Sequence, residues 1–228
     1  MTVTVWVPRD AGALALGAEA TARELVTVAK AAGAEVRVRR NGSRGLYWLE
    51  PLIEVECAEG RIAYGPVTAK DVRGLVENGL LKGGAHPLRL GPIEKHPWFA
   101  SQQRLTFARV GRIDPLDLDE YIAHGGFKGL RRALEIGSLA TVNEVVESGL
   151  RGRGGAAFPT GIKWQTVLKQ PAGQRYITCN ADEGDSGTFS DRMLMEGDPF
   201  SIIEGMAIAG VAVGATRGYI YLRVEYPH

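Results

Sequence analysis

Two short stretches hold the residues that could do chemistry. The first, Leu150 to Trp164, reads LRGRGGAAFPTGIKW. Gly152, Gly154 and Gly155, with Ala156 and Ala157, have almost no side-chain bulk, so their backbone N–H groups can approach a flat or anionic ligand closely. The run formally matches the dinucleotide fingerprint G-x-G-x-x-A, but that fingerprint has meaning only after a strand and at the opening of a helix. Here a helical segment precedes the glycines, and Phe158-Pro159-Thr160-Gly161 delays the next helix to about Ile162. Two readings stay open from these residues alone. One is a tight surface turn; the other is a loop beneath an aromatic ligand, with Phe158 stacking and the free N–H groups of the following helix nearby.

The second stretch, YITCNADEGDSGTFSDR, starts at Tyr176 and places Asn180, Asp182, Glu183 and Asp185 within six residues. Asn180 can donate and accept at a heteroaromatic edge, while the carboxylates can accept from ribose hydroxyls or ring N–H groups. So many acids in one turn also repel phosphate. A solvated acidic turn is the alternative.

The elements that must position these loops can be read from periodicity and capping. Arg175 to Cys179 is a strand, and open α/β sheets take ligands beyond the carboxyl ends of their strands. Asp198-Pro199 supplies an N-cap with proline at the first helical position, opening an apolar helix to about Val213 that is expected to be buried all round. Arg217 to Arg223 returns to strand, which makes a βαβ unit with the first strand. Upstream, Leu118 to Ala123 and Gly129 to Ile136 read as helices, and Thr141-Val142-Asn143-Glu144 as a capping box opening a helix that stops at Gly149.

The amino-terminal half has its own order. Thr2 to Val7 alternates like an edge or hairpin strand, Ala18 to Ala32 is a helix ending at Gly33, and Glu35 to Arg39 returns to period two. Leu52 to Cys57 and Arg61 to Tyr64 form a hairpin, and Thr68 is placed to cap a helix running towards Gly79. This β-α-β-β-β-α order suits a thioredoxin-like layer. Lys82 to Gln103 is broken by Gly83-Gly84, His86-Pro87, Gly91-Pro92 and His96-Pro97, the punctuation of a linker.

Three segments carry a family resemblance: SGLRGRGGAAFPTGIKW from Ser148, CNADEGDSGTFSDR from Cys179, and GDPFSIIEGMAIAGVAVGATRGYIYLRVEYP from Gly197. Together they resemble the NADH-oxidising flavoprotein subunit shared by respiratory complex I, NAD-reducing hydrogenases and NAD-dependent formate dehydrogenases. The likeness runs from about Gly125 to the end. Glu183-Gly184-Asp185-Ser186, with Met193-Leu194-Met195 following, is most similar to the β (diaphorase) subunit of formate dehydrogenase.

The resemblance implies FMN and NAD as cofactors. Hydride passes directly between NADH and FMN, so no side chain is expected as a catalytic acid, base or nucleophile, and no metal ligand is expected in this chain. It places Gly152, Arg153 and Gly154 along the flavin and nucleotide cleft, Phe158 on the NADH adenine, and Lys163 as positive charge near the flavin. Asn180, Asp182 and Glu183 are implied at the flavin edge or ribityl chain, and Asp185 at a ribose. Asp185 stands where complex I has glutamate, and Ala157 where glycine is more usual. Family members continue past EYP into the rest of the flavin domain and a helical [4Fe-4S] domain, so the chain is expected to be the amino-terminal part of a longer subunit. The implied partners are a molybdenum-containing catalytic subunit and a [2Fe-2S] subunit of a formate dehydrogenase complex. Hydrogenase or complex I membership, or a truncated docking remnant without catalysis, are the alternatives.

A fainter likeness covers the amino-terminal half. Gly42-Ser43-Arg44-Gly45-Leu46-Tyr47, Pro51, the hairpin and TAKDVRGLV resemble the thioredoxin-like [2Fe-2S] ferredoxin that accompanies these flavoproteins. That ferredoxin has cysteines where this chain has Ser43 and Tyr47, and Fe–S clusters need thiolate ligands. A cluster-free docking module is therefore expected. The fold class is α/β: a thioredoxin-like domain over 1–82, a linker over 83–116, and the first part of an α/β FMN-binding domain over 117–228.

Composition is consistent with these readings. Lysine and arginine number 27 against 26 acids, so no charge excess argues for nucleic acid or an anionic membrane. The two cysteines, Cys57 and Cys179, are expected as buried free thiols and are too few for a zinc or iron–sulfur quartet. The start, MTVTVWVPRD, has no secretory pattern, and Met206 to Ala215 is short of the roughly 20 residues a membrane span needs. A cytoplasmic protein without a membrane span is expected.

Overall fold

Strand β1 (Thr2–Pro8) buries Val5, Trp6 and Val7, so both of its faces are covered. In the computed structural model, which describes residues 2–171, 173–185 and 187–224, β1 is central rather than an edge. It pairs in parallel with β2 (Glu35–Asn41) and antiparallel with β3 (Ile53–Cys57). Between β1 and β2 run α1 (Ala11–Ala15), capped by Asp10, and α2 (Ala18–Ala31). Ala18, Ala22, Leu25 and Ala29 recur on one face of α2 and are buried, and Ala18, Ala22 and Leu25 join Val5, Val7, Ile53, Val55 and Ile62 in the core. Burying Leu25 alone is worth roughly 1.5–3 kcal/mol.

β3 turns into β4 (Gly60–Tyr64), as the hairpin pattern predicts, and α3 (Val72–Glu77) follows. The sheet order β2-β1-β3-β4-β5 and the strand directions are those of a thioredoxin-like layer with one added strand. Thr68 does not cap α3. Its N–H and hydroxyl both donate to the Asp71 carboxylate, closing a turn that ends before the helix begins. Residues 83–116, expected as a linker, contain β5 (Arg89–Pro92) and α4 (Pro97–Ala100). Proline and glycine are tolerated in β5 because it is an edge strand with a register shift opposite Ala63 and Tyr64.

The chain divides into two compact units: Met1–Glu120 with Met193–Asp198, and Tyr121–Arg192 with Pro199–His228. Along the chain, α5 (Leu118–Ala123) precedes α6 (Lys128–Glu147). Gly137 breaks α6 with φ 79° and ψ 177°, and the Thr141 hydroxyl donates back to the Gly137 carbonyl at 2.8 Å. The two helices expected here are therefore present on either side of Gly137, but the second begins about a turn before Thr141, so Thr141 and Glu144 lie inside it rather than forming a capping box. Glu144 pairs with Arg132 at 2.8 Å instead. The start of α6 is tied by Glu204, whose carboxylate accepts from the N–H groups of Phe127 (2.7 Å) and Leu130 (3.0 Å) and from the Tyr121 hydroxyl.

Helix α7 (Thr160–Lys169) packs against α6 so closely that a Cβ on Gly161 would lie 2.6 Å from Val146. Strand β6 (Tyr176–Ala181), α8 (Ser190–Gly197), α9 (Pro199–Val213) and β7 (Arg217–Leu222) complete the chain. β6 and β7 pair in parallel with α9 between them, the expected βαβ unit. α9 is not buried all round: Ala209, Ala212 and Val213 are buried, but Ile203 is 51% exposed. The unit's core is small, with Val142, Ala212 and Val213 against Trp164, Val167 and Ile177. Both thiols are half-buried rather than buried.

Candidate functional site

The glycine loop is pinned at its base and open at its tip. Gly152 N–H donates to the Phe158 carbonyl at 2.9 Å, Thr160 N–H to the Leu150 carbonyl at 2.8 Å, and the Arg151 guanidinium to the Ala157 carbonyl at 3.0 Å. Between these ties, the N–H groups of Arg153, Gly154, Gly155 and Ala156 find no acceptor among the described residues. Gly155 needs to be glycine for its φ of 90°. Gly154 does not: its backbone is ordinary, and a Cβ there would meet nothing within 4 Å. The chain's own packing gives no reason for glycine at Gly154. A ligand approaching the backbone does.

That open side is a hollow of about 230 Å³ lined by Gly152, Gly154, Ala156, Phe158 and Lys163 among others. The Phe158 ring is 51% exposed, available for stacking. Lys163 sits one turn into α7 and makes no ion pair with a described carboxylate. It also lines a second hollow of about 410 Å³, against Tyr176 to Cys179 of β6 and the flank of α9. The first hollow falls below the usual size of a small-molecule site, so the glycine loop covers only part of a nucleotide-sized ligand. Lys163 is the side chain shared by both.

The acidic turn lies beyond the carboxyl end of β6, as expected, but most of its polar atoms have work within the chain. Asn180 accepts from Asp182 N–H at 3.2 Å, and Asp185 from Gly187 N–H at 3.1 Å. Glu183 takes a left-handed φ of 41° and turns its carboxylate onto the N–H groups of Asp191 (3.2 Å) and Arg192 (2.7 Å), capping α8. Its carbonyl accepts from Arg223 at 3.0 Å. Arg153, Asn180, Asp182, Glu183 and Asp185 line neither hollow. The structure therefore gathers Gly152, Gly154, Phe158 and Lys163, and sets the acidic turn apart as a braced loop. Ser186, and Glu225 to His228 of the terminal motif, lie outside the described residues. Beneath the turn, burial and then Asp191 push the Cys179 thiol up, so it stays neutral.

Sequence reading missed Arg151, which ties the loop base, and Glu204, which anchors α6. An acid within the apolar run PFSIIEGMAIAG was the available signal for Glu204.

The residues present fit a flavin nucleotide: N–H groups without acceptors and a cation without an ion pair among the described residues, a glycine with open space around its Cβ position, and an exposed ring. They do not fit an iron–sulfur cluster at Ser43. Its hydroxyl is buried, donates to Glu50 at 2.7 Å and accepts from Gly45 N–H at 3.0 Å, which is not thiolate chemistry.

Comparison with known proteins bears on the same segments. Residues 145–228 match the sequence model of the Nuo51 FMN-binding domain. The HndC subunit of the NADP-reducing hydrogenase of Solidesulfovibrio fructosivorans is 53% identical over 126 residues, which is 55% of this chain and 26% of that protein. An NADH-quinone oxidoreductase subunit of Escherichia coli strain K12 is 48% identical over 135 residues, 58% of this chain and 29% of that protein. A crystal structure of an NAD+-reducing [NiFe]-hydrogenase in the H2-reduced state aligns over 98% of this chain and 38% of its own, with 26% identity and a TM-score of 0.44. The chain thus spans little more than a quarter of the length of these curated relatives. Residues 145–228, less than half of the chain, are thus similar to Nuo51 FMN-binding domains.

Proposed function

We propose that this chain is part of an NAD-linked diaphorase subunit that exchanges hydride between NAD(H) and FMN, and that it serves a cytoplasmic formate dehydrogenase complex. The observation that carries the reading is the glycine loop: Gly154 has open space above it, and the neighbouring N–H groups lack acceptors beside Phe158 and Lys163. FMN, when bound, supplies hydride acceptance and onward release of single electrons. The chain's task is to hold and orient. The N–H groups of Arg153 to Ala156 offer donors to an oxygen-rich edge or phosphate. Lys163 brings positive charge that favours an anionic reduced ligand. Phe158 offers a face for an adenine ring. Asp182 is an acceptor for the flavin edge or ribityl hydroxyls, and Asp185 for a ribose hydroxyl, where its charge repels an added phosphate, so NADH is preferred to NADPH. Glu183 acts through α8 by fixing the turn, and Asn180 through the same turn.

The formate assignment is supported by Gly184-Asp185 and by Met193-Leu194-Met195 in the sequence. It entails a molybdenum-containing catalytic subunit, a [2Fe-2S] subunit, and a [4Fe-4S] centre in the full-length subunit. A hydrogenase diaphorase is the second reading, favoured by the 53% identity to HndC. The test is to purify the complex from its native host and add NADH, NADPH, formate and hydrogen separately under anaerobic conditions. Bleaching of the flavin by NADH, with formate-driven NAD+ reduction, supports the proposal. A flavin-loaded complex inert to NADH overturns it, and reduction driven by hydrogen but not formate moves it to the second reading.

A further inference from the structure

The amino-terminal unit contains a hollow of about 200 Å³ lined by Arg44, Arg104, Arg112, Glu94, Gln102 and Phe99. Its lining holds three guanidinium groups and one carboxylate, that of Glu94. Arg44, whose side chain is 2% exposed, is held by Glu54 at 2.6 and 2.8 Å and by Glu94 at 2.8 Å, so its donors are occupied. Arg112 pairs with the other oxygen of Glu94. Arg104 has no carboxylate. Its guanidinium lies 5.0 Å from the Phe99 ring centre and donates to the Arg44 carbonyl at 3.0 Å, with no ion pair to any described acid. The Gln102 side-chain amide likewise has no partner among the described residues.

A half-buried guanidinium with no ion pair among the described residues, in a hollow where three guanidinium groups share the single Glu94 carboxylate of the lining, is costly to hold unless something negative visits. Burial pushes the Arg104 proton affinity down, and the charges of Arg44 and Arg112 push the same way against the smaller opposing pull of Glu94, which leaves the local potential positive. At about 30 Å³ per water, the hollow holds on the order of seven waters, room for a small oxyanion but not a nucleoside. Arginine's planar fork matches two oxygens of a tetrahedral anion, and the Gln102 amide can donate to a third.

We propose that Arg104, Arg112 and Gln102 form a phosphate-binding site in the amino-terminal unit, taking inorganic phosphate or a terminal phosphate whose remainder projects into solvent. Arg44 supplies field and, through its carbonyl, positions Arg104.

The test is thermal unfolding of the 228-residue chain with phosphate titrated against chloride at constant ionic strength, paired with phosphorus NMR line broadening. Phosphate is expected to stabilise saturably. Arg104→Gln should weaken its binding about tenfold or more, while Lys30→Gln, at an exposed position of α2, leaves it unchanged. Should Arg104→Gln fail to fold, Gln102→Ala at an exposed position is expected to weaken binding several-fold. A parallel titration with glycerol 3-phosphate, which has no adenine for Phe158, separates the two sources: comparable affinity assigns a terminal phosphate, and much weaker affinity assigns the free ion. Loss of the effect in Gly154→Val with retention in Arg104→Gln would place the anion in the glycine loop and overturn the proposal. So would the absence of saturation in the wild type.

Discussion

At Ser43 the polar atoms are committed to one another, and at Gly154 they are not. The Ser43 hydroxyl, the Glu50 carboxylate and the Leu52 N–H form a closed, buried set, with Gly42 pressed against Gly197. The glycine loop instead leaves successive N–H groups and a small residue facing open space. Both stretches resemble cofactor sites in sequence. Only one keeps unused bonding capacity, and that capacity is what separates a binding site from a structural turn that inherited its outline.

The largest expected effect lies in the closed region. Arg44 and Glu54 are both buried and paired at 2.6 and 2.8 Å, so Arg44→Leu leaves Glu54 largely unpaired in the interior. A loss of about 3–5 kcal/mol in urea unfolding is expected. A loss under about 1 kcal/mol would show that water reaches this pair and that the region is not closed.

A glycine pair sharpens the contrast. A Cβ at Gly42 would sit 2.7 Å from the Gly197 Cα, backbone that cannot easily move, so Gly42→Ala should cost about 1–3 kcal/mol. Gly154→Ala has open space and should change stability by less than about 0.5 kcal/mol. Yet Gly154→Ala should weaken FMN binding, read by quenching of flavin fluorescence, while Gly42→Ala leaves it near wild type. Equal stability costs, or equal FMN affinities, would erase the distinction.

The smallest effect is a pH dependence confined to the closed region. Burial, then the charge of Asp10, pushes the Glu50 carboxyl up to about 7, against the lowering bonds from Ser43 and Leu52. The folded chain therefore holds this proton more tightly than the unfolded one. The group's contribution is complete below about pH 4.5 and is lost as pH rises through about 7. Glu50→Gln should flatten the stability profile across that window. A profile that keeps its slope in the variant would assign the titration elsewhere.

Local signals were enough for the elements around the site. Asp198-Pro199 marked the start of α9, Tyr176 to Cys179 the strand under the acidic turn, and Gly152 to Phe158 the open loop. Capping was harder to read. Thr141-x-x-Glu144 has the spacing of a helix start, but the second helical stretch of α6 begins about a turn earlier, directly after the break at Gly137. Likewise the Pro and Gly residues of 83–116 punctuate like a linker but tolerate an edge strand, since an edge leaves one side of the backbone unpaired.

By itself the sequence determined what depends on neighbours along the chain: strand and helix periods, the glycine loop, the acid cluster, and the missing thiolates at Ser43 and Tyr47. Tertiary structure alone decided how polar groups were used. It assigned Glu183 to cap α8, gave Lys163 to two hollows, tied Ser43 to Glu50, and left Arg104 without a carboxylate among the described residues. The physical reason is range. Steric preferences of the backbone act over a few residues, whereas a hydrogen bond or ion pair joins whatever atoms the fold brings within about 3 Å.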